Sequence, residues 1–158
     1  MKTVVQRVTR AQVSVDGAIV AAVARGVMLL VGVEKGDGEA DADATARKIA
    51  ALRIFPSPST SPGKAPMDLT LAEIGGGCLV VSQFTLCASL AKGNRPSFEP
   101  AEAPARAEAL YLRVAEGLRA AGLLVALGRF GADMAVELVN DGPVTFLVVA
   151  RDGALVKS

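Results

Sequence analysis

The chain has 158 residues, 51% of them hydrophobic, and its 17 lysines and arginines nearly balance its 16 aspartates and glutamates. This length suits one domain with a substantial core, and a net charge of +1 excludes a global electrostatic attraction to nucleic acid or to an anionic membrane. The sequence contains no histidine, which excludes a Ser-His-Asp triad and the usual histidine-ligated metal sites.

The N-terminal part of the chain predicts β structure. Residues 3–8 (TVVQRV) and 12–23 (QVSVDGAIVAAV) have strand patterns, and Asp16-Gly17 inside the second segment is a strong hairpin signal. Arg7 interrupts the apolar region that a signal peptide would need, and no apolar stretch approaches the ~18 residues of a membrane span. We therefore expect a cytoplasmic protein without membrane contact.

Further along the chain, strand and helix patterns alternate. Residues 26–33 (GVMLLVGV) form a short apolar run, typical of a strand that is buried on both faces. A helical period follows over residues 39–55, with acids in the first turn and basic residues late. Residues 56–66 (PSPSTSPGKAP) carry four prolines and predict an exposed loop. The glycines at 75–77 lead into a predicted strand over residues 78–86 (CLVVSQFTL).

The C-terminal half supplies a second helix and the remaining strands. Residues 103–121 have a helical apolar face that Gly122 would cap, and strands are predicted within 123–128, 134–139 and 144–150. Two helices among many strands predict an α+β fold, with a mostly antiparallel or mixed β-sheet that curls toward a barrel. We expect one domain over residues 1–150 and a tail over residues 151–158, whose disorder stays open.

The two cysteines offer little chemistry. Cys78 and Cys87 would lie roughly 30 Å apart if the chain between them is extended, which is too far for a disulfide. A Cys87 thiol hydrolase stays open as an alternative, but it would need a base that the sequence does not obviously provide. The sequence also contains no cluster of metal ligands, so we expect neither a metal nor a cofactor.

Two polar segments follow the apolar core of the 78–86 strand. Strand alternation would place Gln83 and Thr85 on one side, where a hydroxyl and an amide could form a site, although a strand fraying into solvent is equally compatible. The segment 92–98 (KGNRPSF) then supplies Lys92 and Arg95 near Phe98. These cations could hold phosphates, or they could belong to an ordinary solvated loop.

The segment 137–149 (ELVNDGPVTFLVV) interrupts its last strand with Gly142 and Pro143. Proline lacks an N–H and glycine adopts backbone angles that other residues avoid, so the strand should bend there. Two interpretations stay open from the residues alone. One is a rigid corner that exposes carbonyl oxygens to a ligand, and the other is an ordinary turn.

Five segments, in order along nearly the whole chain, carry a family resemblance. They are VVQRVTRAQVSVDG, VVSQFTL, KGNRPSF, GRFGADM and VNDGPVT. Together they resemble the D-aminoacyl-tRNA deacylase family in its bacterial and eukaryotic form, whose signature motifs are SQFTL and NDGPVT. The resemblance implies a cytoplasmic homodimer that hydrolyses the ester between a D-amino acid and the 3′ end of tRNA. It also implies clearance of glycine mischarged on tRNA, and neither DNA nor a membrane as a partner.

The resemblance also assigns roles to residues. Gly142 and Pro143 would form a cis peptide that one subunit inserts into the active site of the other, where it contacts the substrate amino group and excludes an L side chain. Arg7 would hold this corner. The catalytic residues implied are Ser82, Gln83, Phe84 and Thr85.

The mechanism has two versions within this resemblance. Thr85 matches a suspected nucleophile, yet the chain has no histidine to activate it. We favour the alternative, in which the 2′-OH of the terminal adenosine takes part and backbone N–H groups around Ser82–Phe84 stabilise the oxyanion. A protein that binds tRNA ends without chemistry is the remaining alternative.

Overall fold

The computed structural model describes residues 1–57 and 66–156, which contain two α-helices and nine β-strands. The helices are α1 (Glu39–Ala51) and α2 (Pro104–Ala120), and a 3-10 helix spans Phe84–Cys87. The strands are β1 (Lys2–Val15), β2 (Ala18–Val23), β3 (Gly26–Gly32), β4 (Phe55–Pro56), β5 (Met67–Leu69), β6 (Gly77–Ser82), β7 (Leu124–Leu127), β8 (Ala135–Arg151) and β9 (Ala154–Leu155).

A seven-stranded mixed sheet forms the centre of the molecule. Its strand order is β7-β6-β3-β1-β8-β9, and β2 pairs with the far end of β1. The pairs β3–β6 and β6–β7 are parallel, whereas β1 runs antiparallel to β2, β3 and β8. Strands β4 and β5 form a separate two-stranded sheet. The sheet curls as half a barrel, so the prediction of an α+β fold with a curled mixed sheet and two main helices is confirmed.

The two helices pack on the sheet through apolar side chains and one hydrogen bond. The apolar face of α2 is buried, and the Tyr111 hydroxyl donates to the Val80 carbonyl of β6 at 2.9 Å. The helices also contact each other directly, because a Cβ atom at Gly117 would lie 2.7 Å from the Cβ of Ala46. Arg113 of α2 adds a two-pronged ion pair with Asp43 of α1. These contacts fix α2, whose N-terminal end borders the cavity described below.

The predicted 39–55 helix is four residues too long at its C-terminus. Helix α1 ends at Ala51, and the Ile54 N–H donates to the Leu69 carbonyl at 3.1 Å as the chain enters β4. Pro56 explains the early end, because the residue before a proline is forced out of the helical region. The sequence signal was therefore present in Pro56, but the periodicity of the apolar residues concealed it.

The predicted 78–86 strand also ends early, at Ser82. The Gln83 N–H makes one more bond to the Val31 carbonyl of β3, and the neighbouring strands then end at Gly32 and Leu127. With no neighbour left to pair with, the chain turns into the 3-10 helix. The hydroxyl and amide groups of this segment therefore lie on a tight turn instead of on a strand.

Two further predictions concern the loop and the tail. Of the predicted 56–66 loop, residues 58–65 lie outside the described residues. In the predicted tail, residues 151–156 form the end of β8, a turn at Asp152-Gly153 and strand β9. The Gly153 N–H donates to the Asp41 carboxylate of α1 at 2.9 Å, which holds this turn against the helix. Residues 157–158 lie outside the described residues.

Neither helix found in residues 1–57 and 66–156 combines the length and hydropathy that crossing a lipid bilayer would require.

We expect Gly26→Ala to destabilise the sheet strongly. Gly26 of β3 faces Gly77 of β6, and an added Cβ would lie 1.9 Å from the Gly77 carbonyl oxygen. Backbone must move to relieve this overlap, so the free energy of unfolding in urea should fall by about 2 kcal/mol or more. The control is Gly38→Ser, because the nearest atom to its Cβ lies 4.0 Å away and serine suits a helix N-cap. Equal stability of the two variants would contradict this packing.

Candidate active site

A cavity of about 510 Å³ opens where strand β6 ends. One wall is the end of β6 and the turn after it, the second comes from the segment leading into α2, and the third is the connection between β7 and β8. Its lining is mainly apolar, and its charged members are two acids. The lining residues are Val33, Val81, Ser82, Gln83, Phe84, Ala101, Glu102, Pro104, Ala107, Phe130, Gly131, Ala132, Asp133, Met134 and Val136.

The four predicted catalytic residues lie at the mouth of this cavity. Ser82, Gln83 and Phe84 line it, while Thr85 is exposed beside it. The Gln83 side-chain amide donates to the Thr85 hydroxyl oxygen. Strand alternation was expected to bring these two side chains together, and that geometry is wrong because the strand has ended. The turn of the 3-10 helix brings them together instead.

The same turn decides which backbone N–H groups are free. The Gln83 N–H donates to the Val31 carbonyl at 2.8 Å, so this N–H group is not available to a ligand. The first hydrogen bond of this 3-10 helix runs from the Leu86 N–H to the Gln83 carbonyl. The N–H groups of Phe84 and Thr85 precede that bond, and no acceptor for them is found in the described part of the chain. They are the donors that an oxyanion at this cavity could use.

Thr85 itself is poorly placed to act as a nucleophile. Its hydroxyl oxygen accepts a hydrogen bond from Gln83, which supplies no base to remove its proton. The charged residues in the cavity lining, Glu102 and Asp133, belong to the other two walls. Glu102 is already engaged, because it accepts from the Ala103 N–H at 2.7 Å and lies 3.3 Å from the Arg106 guanidinium.

Gly142 and Pro143 lie on a bulge in the middle of β8. The pairs Gln6–Thr145 and Val8–Asn140 flank it, so residues 141–144 of β8 face Arg7 of β1 alone. The Gly142-Pro143 peptide is cis, as the resemblance implied, and Gly142 has a φ of +119°. Both residues are exposed. The interrupted strand of the sequence is therefore one continuous strand with a projecting corner.

Arg7 and Asn140 make polar contacts at the two ends of this bulge. Arg7 is 8% exposed, its Nη1 donates to the Ile54 carbonyl at 2.6 Å, and its Nε lies 2.9 Å from the Asp141 carboxylate. With the Asn140 amide oriented so that every atom has a complementary partner, its nitrogen donates to the Arg7 and Val144 carbonyls. Both ends of the bulge are thereby tied to neighbouring backbone.

Within one chain, the corner and the cavity are separate. Val136 of β8 lines the cavity, and Gly142 lies six positions further along the strand, which corresponds to roughly 20 Å of extended chain. Neither Gly142 nor Pro143 lines the cavity. The structure therefore brings together the residues of the SQFTL segment and leaves the corner on another part of the surface.

Lys92 and Arg95 lie on an exposed loop next to the cavity mouth. Backbone hydrogen bonds between Ser89 and Ser97 close this loop at its base, at 2.8 and 3.0 Å. The ring of Phe98 then meets that of Phe84 edge-to-face, with centroids 5.0 Å apart. Neither cation has an acidic partner within the part of the chain that the structure describes.

The cysteine thiols are buried and free, as predicted. Burial raises the pKa of the Cys78 thiol to about 12. Burial and the nearby Glu34 carboxylate raise the pKa of the Cys87 thiol to about 11. Near neutral pH almost none of either thiol is ionised, which argues against a thiol hydrolase. Among residues 1–57 and 66–156, no three potential ligands of the His, Cys, Asp or Glu type are grouped as a metal site.

Several residues of the site could not be predicted from any single segment of the sequence. Phe130, Asp133 and Met134 belong to the GRFGADM segment, whose only signal was its family resemblance. Asn140 belongs to the VNDGPVT segment, and its only signal was likewise a family resemblance. Glu102 had none, because a lone acid just before a helix ordinarily indicates a helix N-terminus and nothing more.

Comparisons with known proteins agree on the family. A family described as D-Tyr-tRNA(Tyr) deacylase matches residues 4–149. A D-aminoacyl-tRNA deacylase of Anaeromyxobacter dehalogenans (strain 2CP-C) is 55% identical over 151 residues, covering 96% of this chain and 98% of the relative. A solved structure, of a c-Myc DNA unwinding element binding protein, superposes with a TM-score of 0.86 at 39% identity and covers 96% of this chain and 99% of its own.

A second solved structure shares the fold at lower identity. It is described as a probable eukaryotic D-amino acid tRNA deacylase, with a TM-score of 0.72 and 19% identity. The superposition covers 92% of this chain and 97% of the other.

Proposed function

The chain belongs to the D-Tyr-tRNA(Tyr) deacylase family, and we propose that it hydrolyses the ester between a D-amino acid and the 3′ ribose of tRNA. The observation that carries this proposal is a pair of structural features at the two segments that the sequence singled out, SQFTL and NDGPVT. One is a cavity whose mouth bears free backbone donors at Phe84 and Thr85, and the other is a braced Gly142-Pro143 corner. The products would be free D-amino acid and tRNA.

We propose that the working enzyme is a homodimer in which each subunit inserts its corner into the cavity of the other. The roughly 20 Å between Val136 and Gly142 supports this, because one chain cannot bring its own corner to its own cavity without rearranging β8. Strand β8 also has a suitable surface. On the side away from β1, its pairing within the described residues involves only Ala150 and Arg151. Its large exposed apolar residues are Val136, Val139, Phe146 and Leu147.

The corner would select the D-enantiomer by steric exclusion. Carbonyl oxygens at Gly142-Pro143 would accept hydrogen bonds from the substrate α-amino group, and the space taken by the corner would be the space that an L side chain needs. Arg7 and Asn140 support such a role, since a steric filter must not yield. Glycine has no side chain to exclude, so glycine mischarged on tRNA would also be cleared.

For the chemical step we propose that the 2′-OH of the terminal adenosine assists a water molecule that attacks the ester carbonyl, and that the Phe84 and Thr85 N–H groups stabilise the developing oxyanion. The bond between the carbonyl carbon and the 3′ oxygen then breaks, the 3′ oxygen takes up the proton that the water gives up, and the amino acid leaves with the water oxygen. Thr85 and Gln83, hydrogen-bonded to each other, would position these groups. Removing D-amino acids from tRNA in the cytoplasm would protect translation from them.

The proposed activity predicts selective hydrolysis of D-esters. One tRNA charged in parallel with D-Tyr and with L-Tyr should lose only the D-amino acid, measured at substoichiometric enzyme in the presence of a chelator. Prior treatment with an alkylating reagent should leave the rate unchanged, because the Cys87 thiol with its pKa of about 11 is not ionised. Protection of both esters would instead favour a protein that only binds tRNA ends.

The proposed mechanism predicts that Thr85→Ala remains active. Loss of a positioning hydroxyl should lower kcat by about tenfold or less, whereas loss of a nucleophile removes several orders of magnitude. Gln83→Ala is the matched comparison, since it removes the other half of the same hydrogen bond. A Thr85→Ala enzyme that binds the substrate normally and has no measurable kcat would show that Thr85 is the nucleophile.

The proposed exchange of corners predicts complementation between two damaged chains. In Gly142→Ala the new Cβ would lie 2.7 Å from the Val144 side chain and 3.0 Å from the Arg7 guanidinium, at a φ unfavourable for alanine. We expect kcat/KM on the D-ester to fall by about a hundredfold through displacement of the corner. Ala132→Trp should inactivate the cavity instead of the corner, because an indole ring at this lining position would fill it.

Co-refolding the two variants tests whether corner and cavity act in trans. Half of the randomly formed dimers are hybrids, and each hybrid has one intact cavity facing one intact corner, so about a quarter of the wild-type activity should return. Each variant refolded alone serves as the control. No recovery, with hybrid dimers demonstrated by mass, would mean that both elements act within one chain.

A further inference from the structure

An exposed strip of the surface continues outward from the cavity mouth. We call it the exit strip and define it as Phe84, Leu90, Lys92, Arg95 and Phe98. Its three apolar side chains are much more exposed than those of core residues, at 55% for Phe84, 73% for Leu90 and 43% for Phe98. Nothing in the proposed ester hydrolysis uses Leu90 or Phe98, so the exposure of this strip has a separate explanation.

The loop that carries most of the exit strip is closed at its base and joined to the cavity by an aromatic contact. Two hydrogen bonds between Ser89 and Ser97 close the base of the loop that carries Leu90, Lys92 and Arg95. The edge-to-face contact between Phe84 and Phe98 joins this loop to the cavity, because Phe84 also lines the cavity. An extended ligand leaving the cavity over Phe84 would therefore meet Phe98, which directly follows the loop that carries the two cations.

The charges around the cavity mouth favour an anion on this side. Residues 85–98 contain Lys92 and Arg95 and no acid, and the exposed Glu99 that follows Phe98 leaves a net charge of +1 over residues 85–99. On the opposite rim Asp133 lines the cavity, and it shares an adjacent depression with Asp16 of the β1–β2 turn. Arg129 also flanks that rim and is exposed. A polyanion would thus be attracted by the exit strip and would meet acids opposite it.

We propose that the exit strip binds the single-stranded 3′ segment of RNA just upstream of the terminal nucleotide. A base would stack on Phe98 and Leu90, and Lys92 and Arg95 would contact the phosphates, which is the usual combination in single-strand binding. This proposal rests on the proposed function, because it takes the RNA terminus to lie in the cavity.

The first experiment measures RNA binding without catalysis. Its probe is a fluorescein-labelled, uncharged RNA hairpin with a single-stranded 3′ overhang, and fluorescence anisotropy reports the dissociation constant over a range of salt concentrations. Lys92→Gln with Arg95→Gln should weaken binding and lower the slope of log K against log salt by about 1.4, since each single-strand phosphate contact contributes about 0.7. The matched control removes two exposed cations of α1, Arg47→Gln with Lys48→Gln, and should leave the slope unchanged.

The aromatic part of the strip is tested by two substitutions of Phe98. Phe98→Leu keeps an apolar side chain but removes the ring face, so binding should weaken about fivefold or more, whereas Phe98→Tyr should keep it. A blunt-ended hairpin should bind the wild type and both variants equally. Equal binding of Phe98→Leu and wild type to the overhang, or a larger effect from Arg129→Gln than from the Lys92 and Arg95 changes, would overturn the proposal.

A kinetic experiment separates this proposal from the proposed function. With D-Tyr-tRNA the exit-strip variants should raise KM with little change in kcat, and with D-Tyr esterified to adenosine alone they should match wild type. Equal losses on both substrates would mean that the strip only supports the fold of the cavity. If wild type hydrolysed neither ester while the overhang still bound through Lys92, Arg95 and Phe98, the proposed activity would fail and the RNA site would stand.

Discussion

The hold of Arg7 on the β8 bulge is the interaction on which the proposed selectivity depends. Four residues of β8 stand opposite Arg7 alone, and its guanidinium joins the Ile54 carbonyl on one side to the Asp141 carboxylate on the other. A cation that is 8% exposed needs such partners, because an unpaired buried charge is costly. The same ion pair that offsets the Arg7 charge also anchors Asp141, the residue directly before Gly142. A filter that reads handedness by excluded space requires such an anchor.

The cavity forms at the place where several neighbouring strands end together. Strand β6 lies between β3 and β7, and all three end close to Ser82. The backbone then turns as a 3-10 helix, which leaves the Phe84 and Thr85 N–H groups without acceptors in the described part of the chain. Backbone donors need no particular side chain and no histidine, so an oxyanion site of this kind is compatible with a composition that excludes the common bases.

In the proposed dimer the corner of one chain meets the cavity of the other, and strand β8 has a surface that suits such an association. Its side away from β1 pairs with β9 at Ala150 and Arg151, and exposed apolar residues such as Phe146 and Leu147 accompany the rest. An unpaired edge strand makes a monomer prone to aggregation, and the same free backbone groups can pair with a partner subunit at an interface. The exit strip lies apart from β8 in sequence and begins at Phe84, so the same subunit could use one surface for its partner and another for RNA.

The sequence by itself determined the strands of the central sheet, the two helices and the identity of the family, because apolar periodicity and the SQFTL and NDGPVT segments are local signals. It also identified Arg7, Gly142 and Pro143 through their resemblance to the family. It misplaced the ends of two elements, at Ala51 and Ser82, since a strand ends where its neighbours end and no local pattern records that. Only the tertiary structure decided that Gln83 has lost its free N–H, that Glu102 and Asp133 line the cavity, and that Gly142 and Pro143 do not. Those facts depend on which strands are neighbours, and strand pairing joins residues that are distant along the chain.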